Sequence, residues 1–335
     1  MGSILSILIF IIIFFLYLHL IDQYKNSNDL ELYEMDYTNL NELNETCNIK
    51  QPIVFHYQNV NPQFFELLTN DILENKKDNL LITDEKLEQF ILECSSALIL
   101  LHNDKKNSYY TENNDHFIYE SDLQNIYETN DDFLKPPFTV KTKYDIHFAT
   151  KNATTPLKYH NYHRHFLSVH SGKIRVKLVP PKFKKHLLEK KDYDNYLFHS
   201  PIDLWDIQKK YAHILDKIKF LEFDIYPGSV LYIPPNWWYT IQFLYEDDVP
   251  TLCSSITYIT AMNVFANLKH YFLYFIQQSN TKIVKTRTIA QDELQSTNSN
   301  PDNEEESKEK ENTEEEKEEE EMNQEPPLQT ASSDI

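Results

Sequence analysis

Glycine is almost missing from this chain. Only Gly2, Gly172 and Gly228 occur in 335 residues, where average usage of about 7% would supply about 23. Backbone that turns left-handed or passes close to another segment normally does so at glycine. The two interior glycines therefore mark points where the fold has little alternative. Around Gly172, apolar residues fall at 167 and 169 and again at 174, 176 and 178. That period of two on both sides of Ser171-Gly172 predicts a hairpin with a glycine-containing turn. Gly228 sits among further strand-like runs at 220–225, 229–233, 237–243 and 252–260, punctuated by Pro227-Gly228 and Pro234-Pro235-Asn236. Many short strands separated by turn residues predict a β-sandwich or jelly roll.

The rest of the body, from residue 51, reads less uniformly. Residues 52–55 and 97–101 read as short strands; 62–74, 84–93, 183–190, 202–218 and 262–277 read as helices from their three- and four-residue apolar spacing. Residues 107–132 are polar and Tyr-rich, with no period. The predicted organisation is an anchor at 4–21, a linker at 22–50, a mixed segment at 51–137, a β-rich domain at 138–279 and a tail at 291–335.

Residues 4–21 carry no formal charge, and at about 1.5 Å per residue they are just long enough to cross a bilayer core. A signal peptide is the rival reading. No Lys or Arg precedes the run, however, and no small-residue cleavage site follows it, so an uncleaved single-pass anchor is expected. Lys25 is the only cation at either flank and votes weakly for a cytoplasmic body. Gly2 and Ser6 fit a myristoylation pattern that points the same way, whereas Asn44 and Asn152 would be glycosylation acceptors in a lumen.

The charge is equally uneven. Residues 291–335 hold 17 Asp and Glu against 3 Lys, a net −14 of the chain's −20. Such a tail has no apolar face to bury and should be disordered. The overall balance excludes phosphate-driven nucleic-acid binding by the whole chain. Cys47, Cys94 and Cys253 are odd in number, widely spaced and without CxxC, which argues against a disulfide framework or zinc ribbon.

Three segments stand out together. They are Thr155-Pro-Leu157, the run Ser171-Gly-Lys-Ile-Arg-Val-Lys-Leu-Val-Pro-Pro181, and Tyr226-Pro-Gly-Ser-Val-Leu-Tyr-Ile-Pro-Pro-Asn-Trp-Trp-Tyr239. They resemble the two halves of a cupin-like (JmjC-type) domain, and the last is similar to that family's Gly-Asp-x-Leu-x-Ile-Pro-x-x-Trp-Trp-His strand pair. Gly172, Gly228, Trp237 and Trp238 all fall inside these motifs. The resemblance implies a double-stranded β-helix, or jelly roll, with flanking helices. With the AT-biased composition, this motif variant is also similar to membrane-anchored cupin-like proteins of giant DNA viruses.

Active members of that family are implied to be Fe(II)- and 2-oxoglutarate-dependent oxygenases, their iron held by His-x-Asp/Glu and a distant His. Here the His-x-Asp position reads Lys158-Tyr159-His160, or Tyr159-His160-Asn161 in a register shifted by one. The distal His position is Tyr239, and the lysine that would hold the oxoacid is Ile174, with Lys173 and Arg175 alternating to the other strand face. A His-based metal site is the rival, using His160, His163 and His165, with His147 and His170 nearby. Strand parity puts His163 and His165 on one face and His160 and His170 on the other, so at most two converge. Tyr239 facing inward would fill the pocket, its hydroxyl needing a partner such as His165. The lysine-rich segment 182–191 is either a phosphate site or the solvated face of a short helix.

The sequence therefore predicts a membrane-anchored, catalytically degenerate cupin-like domain with no cofactor. Its role would be binding or scaffolding for an unidentified protein or small ligand. A hydroxylase or other metal enzyme with non-standard ligands is the alternative.

Overall fold

Strands dominate, and they alternate between two sheets. The computed structural model describes residues 2–246, 249–280 and 286–288, so the acidic tail expected at 291–335 lies outside the described residues. The chain opens with helix α1 (Gly2–Tyr24), then β1 (Tyr33–Asp36), α2 (Leu40–Asn48), β2 (Ile53–His56), α3 (Pro62–Leu67) and α4 (Asn70–Glu74). Next come β3 (Asn79–Thr83), β4 (Gln89–Glu93), α5 (Cys94–Asn103), β5 (Tyr110–Thr111), α6 (Asp115–Glu120), α7 (Gln124–Glu128) and α8 (Asp131–Leu134). The body's strands follow: β6 (Thr139–Phe148), β7 (Lys158–Tyr159), β8 (Arg164–Ser171), β9 (Lys173–Val179), β10 (Lys190–Asp192) and β11 (Leu197–His199). A short α9 (Ala212–Leu215) precedes β12 (Leu221–Ile225), β13 (Ser229–Tyr232), β14 (Trp238–Leu244) and β15 (Leu252–Thr260). Then come α10 (Ala261–Ala266), α11 (Leu268–Asn280) and β16 (Thr286–Thr288).

Two six-stranded sheets run in the orders β1-β2-β13-β8-β15-β6 and β10-β11-β7-β14-β9-β12; a smaller sheet is ordered β16-β4-β3-β5. Leu167, Val169, Leu231 and Cys253 of the first sheet pack with Ile174, Val176, Leu178 and Ile241 of the second in one buried core. From β7 to β9, and again from β12 to β15, each strand lies in the sheet opposite to its predecessor. That switching is the jelly-roll signature, and it is the fold the sequence predicts.

The switching also corrects the hairpin. β8 and β9 do not pair: β8 bonds to β13 and β15, and β9 to β12 and β14. Gly172 is instead the corner at which the chain leaves one sheet for the other. Its φ is +62°, and a Cβ there would lie 2.6 Å from Thr251 Oγ1 and 2.8 Å from Thr251 Cα. Gly228, at φ +84°, makes the equivalent crossing from β12 to β13, and a Cβ would meet Gln58 Oε1 at 2.6 Å. Elsewhere the scarcity of glycine shows directly. Ten other residues adopt positive φ, among them Asn107, Asn113, Asn152 and Asn236, which tolerate it best, but also Lys50, Leu87 and Phe138.

Several local expectations are overturned. Residues 22–50 are not a linker, because β1 pairs in parallel with β2 and α2 buries Leu43 and Cys47. Residues 84–93 are not a helix. Leu87, at φ +66°, sits in a turn whose Asp84 Oδ1 accepts from the amides of Lys86 and Glu88, and β4 pairs back onto β3. Residues 97–101 belong to α5 rather than a strand, since a short apolar run suits either state. The helix expected at 183–190 is a 3-10 helix at Pro181–His186. The stripe at 202–218 is mostly irregular chain, although Leu204, Ile214 and Ile218 still reach the same cluster around Trp238. The closing helix breaks at Asn267 into α10 and α11.

α1 has an 18-residue window of mean hydropathy 3.0, with none of it buried. Its length and composition suit a membrane anchor or a signal sequence.

Candidate functional site

A cavity of about 440 Å³ opens among β6, β7, β8, β14 and β15. Its wall carries Lys158 and His160 from the end of β7, His165 from β8, Tyr239 from β14, His147 from β6 and Thr257 from β15. A hollow of about 520 Å³ lies elsewhere, between α4, α5, Tyr245, Pro250 and Thr251; its surface is mainly apolar, with Glu74 and His102 among the lining residues.

The pleat selects what faces inward. Lys158 and His160, two residues apart, both line the cavity, while Tyr159 points outward, with its ring centroid 5.2 Å from Phe198 and 4.7 Å from Trp238. Asn161 also turns away. Its side-chain amide donates to Asn267 Oδ1 at 3.0 Å and its carbonyl accepts from Asn263 at 2.9 Å, tying β7 to α10. Trp237 is buried in the core between the sheets and donates to Lys50 O at 3.2 Å; Trp238 is buried in the outer cluster. Ile174 is a core residue, and Lys173 and Arg175 beside it reach the opposite face to pair with Asp224.

The histidines sort differently from strand parity. β8 begins at Arg164, so residues 160–163 are irregular chain and the alternation does not extend back to His163. His160 and His165 are the pair that meets, with centroids 4.8 Å apart and each about 6 Å from the Tyr239 ring. His163 leaves the cavity and contacts Gln23 at 3.3 Å, and His170 packs on the outer face against Phe64 and Phe65. His160 donates from Nε2 to Ile233 O at 3.1 Å, leaving a buried Nδ1 without a partner. His165 Nδ1 lies 2.8 Å from Thr257 Oγ1. Burial, opposed by the Ile233 contact and reinforced by Lys158, lowers His160 to a pKa of about 3. His165 is also pushed well below the ordinary histidine value by burial, then by His160. Both rings are neutral at physiological pH.

Lys158 is the buried cation of the cavity, whose lining also includes Lys143. Burial works against its charge, but Glu112, ion-paired to it, outweighs that and holds the ammonium above the ordinary lysine range. The ammonium lies 5.7 Å from the Tyr239 ring centroid. The Tyr239 hydroxyl makes no hydrogen bond to a described residue, His165 included, and burial raises its pKa to about 12. Glu112 is the site residue the sequence reading missed. It comes from the aperiodic 107–132 segment, and nothing local distinguishes it from its polar neighbours.

Iron, implied by the family resemblance, does not suit these donors. Of the imidazoles lining the cavity, His160 and His165 each have one nitrogen engaged and His147 has both, at Thr111 O and Ser255 Oγ, while the distal ligand position holds a phenol. The inner carboxylates are committed as well, Glu112 to Lys158 and Asp145 to the amides of Asn113 and Asn114 at 2.7 and 2.8 Å. Among the described residues, no group of three His, Cys, Asp or Glu side chains is placed to hold a metal ion.

Two packed, mainly antiparallel sheets whose strands alternate around an interior polar cavity define a cupin architecture. Residues 75–268, more than half of the chain, match the cupin-like domain family, and the protein belongs to it. The match begins upstream of the β-rich region, so the β3–β4 hairpin and helices α5 to α8 are part of the family domain rather than an appendage. No curated protein matches the chain.

Proposed function

We propose that the protein is a membrane-anchored, catalytically degenerate cupin-like domain whose cavity binds a small polar ligand without iron. The observation that carries this reading is what stands at the family's metal positions. In the ungapped register Lys158 replaces the first histidine, His160 the carboxylate and Tyr239 the distal histidine, and all three side chains line one cavity. Lys158 puts a buried positive charge where the first histidine would donate a lone pair, and His160 puts a neutral ring where the triad's one carboxylate would stand. The cavity retains donors and acceptors suited to a ligand with both: Lys158, the free edges of His160 and His165, the Tyr239 hydroxyl, and the Ser255 and Thr257 hydroxyls.

The test is iron loading and turnover. Full-length protein purified in detergent, reconstituted with Fe(II) under argon and desalted, should retain iron far below one equivalent. It should release no succinate from 2-oxoglutarate. Stoichiometric iron together with succinate would establish the hydroxylase alternative and sink this reading.

A further inference from the structure

Helix α11 has a face that no described residue covers. Phe265 at the end of α10 is 65% exposed, and Leu268, Phe272 and Phe275 of α11 are 58%, 61% and 68% exposed. Residues 268, 272, 275 and 276 recur at helical spacing and form one stripe. The opposite side of α11 is well used. Tyr193 Oη contacts His270 Nδ1 at 2.9 Å, Tyr271 stacks on Tyr196 with centroids 5.3 Å apart, and Tyr274 lines the cavity. A contiguous run of large exposed apolar side chains signals a partner.

Two observations say which partner. First, α1 leaves the body beside this face. Tyr24 Oη donates to Ala266 O at 2.9 Å, Gln23 contacts His163, Asn26 accepts from Asn236 at 3.0 Å, and Asn28 accepts from the Lys182 ammonium at 2.7 Å. The wholly exposed apolar helix is therefore fixed at its base to α10, to the irregular chain before β8 and to the lysine-rich segment. Second, that segment flanks α11. Lys182, Lys185, Lys190 and Lys191 are exposed, with Leu188 standing 48% exposed among them. Lys191 and Lys184 lie close enough to His270 to add to the burial that lowers its pKa. Of these, Lys184 and Lys191 pair with Glu189, whereas Lys185, Lys190 and the neighbouring Lys269 have no partner among the described residues. An exposed cation next to Leu268 of the stripe, Lys269, with further exposed cations on the segment that reaches the other side of α11, suits an anionic lipid surface.

We propose that the α10–α11 stripe lies in the interface of the same bilayer that α1 enters, with Lys185, Lys190 and Lys269 at lipid phosphates. The body then rests on the membrane instead of hanging from a tether, and α11 carries bilayer on one face and cavity wall on the other. This inference rests on α1 being a membrane anchor.

The experiment uses the full chain in nanodiscs containing anionic lipid, with brominated acyl chains as a contact quencher. Three single tryptophan substitutions are compared: Ile13→Trp in α1, Phe272→Trp in α11 and, as the control, Ile99→Trp at an exposed position of α5, which packs on α4, β3 and β4. The expected result is that Ile13→Trp and Phe272→Trp both lose most of their added emission while Ile99→Trp does not. Combining Phe272→Trp with Lys185→Glu and Lys190→Glu should cut its quenching by at least half, leaving Ile13→Trp untouched. Quenching at position 13 without quenching at 272 would overturn the interfacial contact and leave the anchor standing, including the case where a second copy of the chain shields Phe272. Quenching at neither position would overturn both.

Discussion

Replacing Glu112 with leucine isolates the ion pair that organises the cavity. Glu112 and Lys158 are 5% and 8% exposed, so the substitution leaves a buried ammonium without its ion-pair partner. Breaking a buried pair from one side costs about 3–5 kcal/mol. For a body of this size that is a fall in Tm on the order of 10 °C. The sign of the pH dependence should change as well. With Glu112 present, the Lys158 pKa is raised in the folded state; its stabilisation is complete below the unfolded lysine value of about 10.4 and is lost as pH rises through the folded one. In Glu112→Leu, burial, the largest influence on Lys158, acts without that carboxylate and draws the pKa down. The variant should then gain stability as pH rises from the lowered value toward about 10.4. Adding Lys158→Met should recover most of the lost stability, since an apolar pair of similar volume is often neutral or better. Thermal unfolding of the full chain in detergent, scanned from pH 7 to 10, reads all three outcomes. A Glu112→Leu protein as stable as wild type, with an unchanged pH slope, would show that the two groups are solvated and that the cavity is not built as described.

Gly172→Val and Gly228→Val should each destabilise the body by about 2–5 kcal/mol, combining left-handed strain with overlap on Thr251 or Gln58; unchanged denaturation midpoints would mean these corners are open. Acid should be more damaging than alkali near neutrality. Burial lowers His160 and His170 to about 3 and His163 to about 2, and drives His165 down too. The stability tied to these neutral rings is complete above the unfolded value of about 6.5 and is lost as pH falls, by about 1.4 kcal/mol per pH unit for each ring. A stability curve flat between pH 6.5 and 4.5 would contradict their burial.

How much of this was legible follows from which interactions are local. The strands at 221–225, 229–232, 238–244 and 252–260 were legible because their alternation is strong and their ends are marked by proline or glycine. Gly172 was recognisable as a special position but not as a corner. Period-two alternation looks the same whether two strands pair with each other or with strands far away, and only the tertiary pairing of β8 with β15 decides. The 84–93 hairpin was hidden because Leu87, Phe90 and Ile91 also fit a helical stripe, and a leucine at positive φ is not an ordinary turn signal. Parity misplaced His163 because it assumes an uninterrupted strand. Glu112 was invisible for another reason: its partner Lys158 is 46 residues away, and a single glutamate in a polar segment carries no pattern.

The place of β15 has a consequence for how the molecule is made. It lies between β6 and β8, pairing Ser255 with Asp145 on one side and with Leu167 on the other. It is also the last strand of the jelly roll to leave the ribosome. Until Thr260 emerges, β6 and β8 present bare backbone edges, and the apolar residues of both sheets have no closed interior to enter. Such non-local pairing makes closure slow. The nascent chain should therefore wait as an open half-sheet, and chaperone binding should concentrate on β6 and β8 in that interval.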